Sequence, residues 1–89
     1  MSEYLLRGSG HFGYISAHGS RTYKSIVDAR KKAYENALAY SQIFIYDISD
    51  GRNLISYVYY ANGHRVCQSA DRKRTWELRK DGKLGKEID

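Results

Sequence analysis

NLISYVYYANGHRVCQSADRKRTWELRKDGKL, residues 53–84, decides the fold. Residues 54–61 are rich in β-branched and aromatic side chains, which suit a pleated, half-buried strand. Asn62-Gly63 follows, and both central residues of a type I′ hairpin turn need positive φ, which Asn and Gly tolerate best. Residues 64–69 return as the partner strand. Asp71-Arg72-Lys73 turns again, residues 74–79 make a further strand, and Asp81-Gly82 turns into what reads as a frayed C-terminus. The segment is an antiparallel meander.

Upstream, QIFIYDI at residues 42–48 is a strongly β-prone strand, closed by an Asp50-Gly51 turn. Before it lies one helix, expected over residues 25–41. Ser25 with Asp28 three residues later fits a capping box with Asp in the usual Glu place. At 100° per residue, Ile26, Ala29, Ala33, Ala37 and Tyr40 share one side, extended by Val27, Tyr34 and Leu38. Arg30 falls inside this apolar arc and is expected to snorkel along its edge. The N-terminal part reads as a strand at 3–7, a glycine-rich turn at 8–13 and a second strand at 12–18. His18-Gly19-Ser20 breaks that strand, and Tyr23 anchors the loop.

The expected fold class is therefore α+β: one α-helix packed on an antiparallel sheet, in the order β-β-α-β-β-β-β, as a single domain over residues 1–89. One sheet face is left without a helix, open to water or a partner. On the strand at 54–61, Leu54, Ser56, Val58 and Tyr60 are the more aliphatic set and are expected to face the core. Ile55, Tyr57 and Tyr59 take the open face. Trp76 and Leu78 share a face, but which one depends on pairing register.

The chain has 89 residues, a net charge of +5, nine tyrosines, one cysteine and no proline. A single cysteine excludes an intrachain disulfide and fits a reducing compartment. No run of about 18 apolar residues spans a membrane, and the start of the chain lacks a signal-peptide pattern, so the expected location is cytoplasmic.

Catalytic and metal motifs are missing. GSGHFG, residues 8–13, has the form G-x-G-x-x-G, but a strand follows where a dinucleotide site needs a helix. A glycine loop between strands, with Phe12 before the last glycine, resembles the nucleotide loop of protein kinases. No VAIK-type lysine, HRD or DFG run follows, so the resemblance ends there. The backbone N–H groups of such a loop can still cradle a phosphate. His11 and His18 lack metal-ligand spacing. His64 and Cys67, three apart, fall on opposite faces of a strand, and Cys67 reads as a small core residue. No enzyme, cofactor or metal is expected.

The signal that points to function is basic charge interleaved with aromatics. Arg65, Arg72, Lys73, Arg74, Arg79 and Lys80 are candidate phosphate contacts, and Tyr57, Tyr59 and Trp76 are candidate stacking partners for bases. The run GYISAHGSRTYKSIVDARKKA resembles the strand-to-helix step of phage-integrase arm-binding domains, which bind DNA with a three-stranded sheet against a helix. That resemblance covers about a quarter of the chain, with fewer strands before the helix and more after it. The expected function is a small basic nucleic-acid-binding module, for single strands or duplex. The alternative is a non-enzymatic interaction module (adaptor, inhibitor or phage-type accessory protein) for an acidic protein partner, with homodimerisation through an exposed edge strand.

Overall fold

The computed structural model describes residues 2–9, 15–16 and 22–88. It is an α+β fold in which one helix packs on an antiparallel sheet. In chain order the elements are β1 (Tyr4–Ser9), β2 (Ile15–Ser16), β3 (Thr22–Tyr23), α1 (Ile26–Asn36), β4 (Gln42–Asp47), β5 (Asn53–Ala61), β6 (His64–Ser69), β7 (Thr75–Leu78) and β8 (Leu84–Ile88). The sheet order is β2-β1-β4-β5-β6-β7-β8, and β3 also pairs with β1, so β2 and β3 line the same edge.

Two expectations about the ends of the sheet are corrected. The C-terminus is not frayed: residues 84–88 return from the Gly82 turn and pair with β7. Tyr23 is not an isolated loop anchor, because β3 pairs it with Tyr4. In the glycine-rich run, Gly8 and Ser9 belong to β1, while residues 10–13, including Phe12 and His11, lie outside the described residues, as does His18.

The helix begins where its cap dictates. Ser25 is extended (φ −123°, ψ 138°), and its Oγ accepts from the Val27 and Asp28 amides at 3.1 and 3.4 Å. It ends earlier than the apolar stripe suggests, with Ala37 as C-cap. Ala29, Ala33 and Ala37 are fully buried and set α1 close against the sheet. Leu38, expected to prolong the stripe, lies beyond the last turn and is 62 % exposed. Once the helical period stops, the 3.6-residue spacing no longer says where a side chain points.

Register defines the two faces. Across the helix-covered face runs the row Gly8, Ile43, Val58, Cys67, Trp76, Glu87, each opposite the next. Ile43 and Val58 are fully buried and Cys67 nearly so. Gly8 lies under the Tyr40 ring, which a Cβ there would have to displace. Ser56 and Val58 face the core as expected, but Leu54 and Ile55 exchange roles. Ile45 pairs with Ser56 and Tyr46 with Leu54, so Ile55 is an extra residue in β5, and it packs against the core. Tyr60, also expected inside, is 48 % exposed.

Ser56 is 5 % exposed and is, among the described residues, the one buried polar residue of the core. Its hydroxyl sits against the Cys67 thiol without a well-formed hydrogen bond. A buried hydroxyl with no good partner carries its desolvation cost uncompensated. Ser56→Ala is therefore expected to leave stability unchanged or to raise it by up to about 1 kcal/mol. A loss of more than about 1 kcal/mol in urea unfolding would show that the thiol holds the hydroxyl after all.

Candidate functional site

The helix-free face carries a second row of cross-strand neighbours: Arg7, Phe44, Tyr57, Gln68, Thr75 and Ile88. Phe44 meets Tyr57 edge-on at 5.6 Å between ring centroids, and Tyr46 at 6.4 Å. The same face holds Tyr59, two residues along β5 from Tyr57. Four aromatic rings thus occupy adjacent positions on β4 and β5. All four are half-buried, on the side of the sheet away from α1.

Arginines surround these rings. Arg7 lies opposite Phe44 on β1, and the Arg52 guanidinium sits 5.4 Å from the Tyr46 ring centroid. Arg72 comes from the β6–β7 turn and lies 3.8 Å over the Tyr57 ring. It donates to Gln68 Oε1 at 3.0 Å and to Gln42 Oε1 at 3.2 Å, so one side chain reaches across three strands. Its backbone has φ of 62°, in the left-handed region that a non-glycine residue occupies at a cost.

The turn that imposes this backbone is closed by its own hydrogen bonds. The Arg72 amide donates to the Ser69 carbonyl at 2.9 Å, and the Lys73 amide to Asp71 Oδ1 at 3.0 Å. Ser69 Oγ donates to the same Asp71 oxygen at 2.6 Å and accepts from the Arg74 amide at 3.1 Å. These donors hold the Asp71 carboxyl below the usual carboxylate range. The turn chemistry thus delivers Arg72 to the aromatic face.

Beside the rings a pocket of about 230 Å³ is lined by Tyr59, Ala61, His64, Val66, Thr75 and Ile88 among others. His64 Nδ1 stands 3.8 Å from Glu77 Oε2. His64 and Cys67 do lie on opposite faces, since Cys67 is in the core and His64 lines this pocket. Burial pushes the Cys67 thiol up, against a smaller opposing pull from Arg30. Among the described residues no group of three or more His, Cys, Asp or Glu could hold a metal ion.

The nine residues singled out from sequence do not form one surface. Tyr57, Tyr59 and Arg72 come together on the helix-free face. Trp76 does not join them: it lies opposite Cys67, which turns its ring to the helix side. Arg74 follows it, stacked 4.9 Å from the Trp76 ring centroid and paired with Glu87 at 2.8 Å. Arg65 is also on the helix side, 4.2 Å over the Tyr34 ring. Lys73, Arg79 and Lys80 are exposed in the two turns that flank β7. Sequence reading passed over Phe44, Tyr46, Arg7 and Arg52. The alternation in QIFIYDI, with Ile43 and Ile45 inside, was the available signal for the first two. Nothing local marks Arg7 and Arg52, whose relevance arises only from pairing across strands.

No family model, curated protein or solved structure matches this chain.

Proposed function

We propose that the protein is a binding module for single-stranded nucleic acid, which it holds across the helix-free face of the sheet. The observation that carries this reading is the Arg72 guanidinium stacked on Tyr57 within a cluster of half-buried rings. Aromatic faces accept any base, and guanidinium groups contact phosphates. Tyr57, Tyr59, Phe44 and Tyr46 supply stacking. Arg7, Arg52 and Arg72 supply positive charge, opposed on this face by Glu77 with its His64 partner. A base arriving at Tyr57 displaces the Arg72 guanidinium, which is then available to the neighbouring phosphate. Lys73, Arg79 and Lys80 add to the long-range field of a chain with net charge +5.

Single strands suit this face better than duplex. The bases of a duplex are stacked inward, and reading them from the major groove takes a helix or a narrow ribbon that enters it. Among the described residues this face presents a broad sheet and no helix. Among the described residues no helix is long and apolar enough to cross a membrane, and a cytoplasmic location belongs to the same proposal.

Anisotropy of a labelled oligonucleotide, single-stranded and then duplex, tests the reading at two salt concentrations. Single-strand binding is expected to weaken by about tenfold or more in Tyr57→Ala. Arg72→Ala is expected to weaken it too and to reduce the slope of log affinity against log salt by about one. Arg74→Ala, on the other side of the sheet, leaves both unchanged. Single-strand affinity unaltered by Tyr57→Ala and Arg72→Ala overturns the assignment.

One observation favours the interaction-module reading instead. Ile88, on the edge strand β8, is 39 % exposed next to the 230 Å³ pocket, and an open edge can pair with another chain. A mass that rises with concentration in light scattering, without oligonucleotide binding, would support that alternative.

A further inference from the structure

The 230 Å³ pocket lies on the helix-free face, toward the end of the sheet where the β5–β6 hairpin turns. Val66, opposite Tyr59 in register and 4 % exposed, is the most deeply set of its lining residues. Tyr59 bounds it on β5, and Thr75 and Ile88 bound it on β7 and β8. Asn62 and His64 bring polar groups from the hairpin. Apolar walls with a few polar groups are the usual make-up of a small-ligand site. The volume falls below the about 300–1,000 Å³ of sites for drug-sized ligands and well above the about 30 Å³ share of one water. It suits a single planar ring system without a sugar.

A chain of hydrogen bonds joins this pocket to the stacked arginine. Arg72, over the Tyr57 ring, donates to Gln68 Oε1 at 3.0 Å, and Gln68 Nε2 donates to Thr75 Oγ1 at 3.2 Å. The Gln68 carboxamide is thus oriented at both ends, and Thr75 keeps its hydroxyl proton for an arriving acceptor. Spacing along β5 supplies a second link. Tyr57 and Tyr59 are two residues apart, about 7 Å along the strand, against about 3.4 Å between neighbours in a stacked nucleic-acid strand. Bases on both tyrosines therefore cannot stack on each other, and the second needs a place of its own. Charge sets the direction. Arg52 and Arg72 come from the β4–β5 and β6–β7 turns, at the far end of the sheet from the hairpin. At the hairpin end the Glu77 carboxylate stands 3.8 Å from His64 and repels phosphate. A neutral base, rather than the backbone, fits there.

We infer that this pocket is a base subsite, which takes one nucleobase unstacked from its neighbour on Tyr57, with the intervening phosphate kept on the Arg72 side. The inference rests on the nucleic-acid reading of this face. It adds a position at which the strand is held by a base rather than by charge.

The test uses the full chain and short labelled single-stranded oligonucleotides. Ala61→Leu, which fills the pocket, is expected to weaken binding by about tenfold and to leave the slope of log affinity against log salt unchanged, because no phosphate contact is lost. In NMR spectra of the wild-type chain, the Val66 and Ile88 methyl signals are expected to shift under the ring current of the bound base. An abasic oligomer of the same length leaves those signals in place. The wild-type methyl signals decide the question even if Ala61→Leu fails to fold. Unmoved methyl signals, with binding still weakened by Tyr57→Ala and untouched by Ala61→Leu, overturn the subsite and leave the reading of the face intact. No oligonucleotide binding by the wild-type chain overturns both. Methyl shifts that grow with protein concentration in the absence of oligonucleotide put a second copy of the chain in the pocket and overturn the base subsite.

Discussion

Gly82→Ala is expected to cost about 3 kcal/mol or more in urea unfolding, whereas Gly51→Ala costs about 1 kcal/mol. Both glycines have positive φ, 88° and 83°, so both substitutions carry the left-handed backbone penalty. They differ in what surrounds them. A Cβ on Gly51 meets nothing within 4 Å, while one on Gly82 would stand 2.2 Å from the Val27 carbonyl oxygen and 3.1 Å from the Lys31 amide nitrogen. These are helix backbone atoms, which cannot swing away as a side chain can. The β7–β8 turn must lift off α1, or α1 must shift off the sheet. In a domain of this size a loss of 3 kcal/mol lowers Tm by about 12–24 °C. Equal costs at the two positions would mean that the turn does not dock on the helix.

Ile43→Ala is expected to destabilise by about 2–5 kcal/mol, while Leu38→Ala stays within about 0.5 kcal/mol of zero. Ile43 is 0 % exposed near the start of β4, between Gly8 and Val58, on the face that α1 covers. Removing its side chain leaves a cavity that neighbouring strands, tied by their ladders, cannot collapse to fill. Leu38 belongs to the same apolar pattern in sequence yet lies past the helix end, 62 % exposed. Chemical denaturation of both variants, with the slope on urea checked for constancy, settles the contrast. A Leu38→Ala loss above 1 kcal/mol would place that side chain in a packed environment.

The distribution of arginines gives the molecule two differently built sides. On the helix-free side Arg72 is held by a turn whose hydrogen bonds override its backbone preference, and it lies over a ring. On the helix side Arg74 is neutralised by Glu87, leaving Arg30 and Arg65 without acidic partners among the described residues. A single basic surface, natural from the clustering of charge late in the chain, is thus divided by the sheet itself. Arg72 lies over Tyr57 on one face while Arg74 lies with Trp76 and Glu87 on the other, so the two cannot act together.

Local chemistry alone determined much of this protein. The Asn62-Gly63 hairpin was legible because few residues tolerate positive φ, and both carry it, at 53° and 83°. The helix start was legible in Ser25, and its buried stripe in alanines spaced by four. The outward placement of Tyr57 and Tyr59 followed from period two along β5. Tertiary structure decided what period two leaves open. The extra residue at Ile55 exchanged it with Leu54, and a bulge is a property of a strand pair rather than of one strand. β8 formed because β7 offered it an edge, not because LGKEI is strongly β-prone. Trp76 went to the helix side because Cys67 stands opposite it. Register is a relation between distant segments, and a slip of one residue turns every side chain over. The members of a surface that spans several strands, Arg7, Phe44, Tyr57 and Arg72, therefore became visible only after those strands had paired.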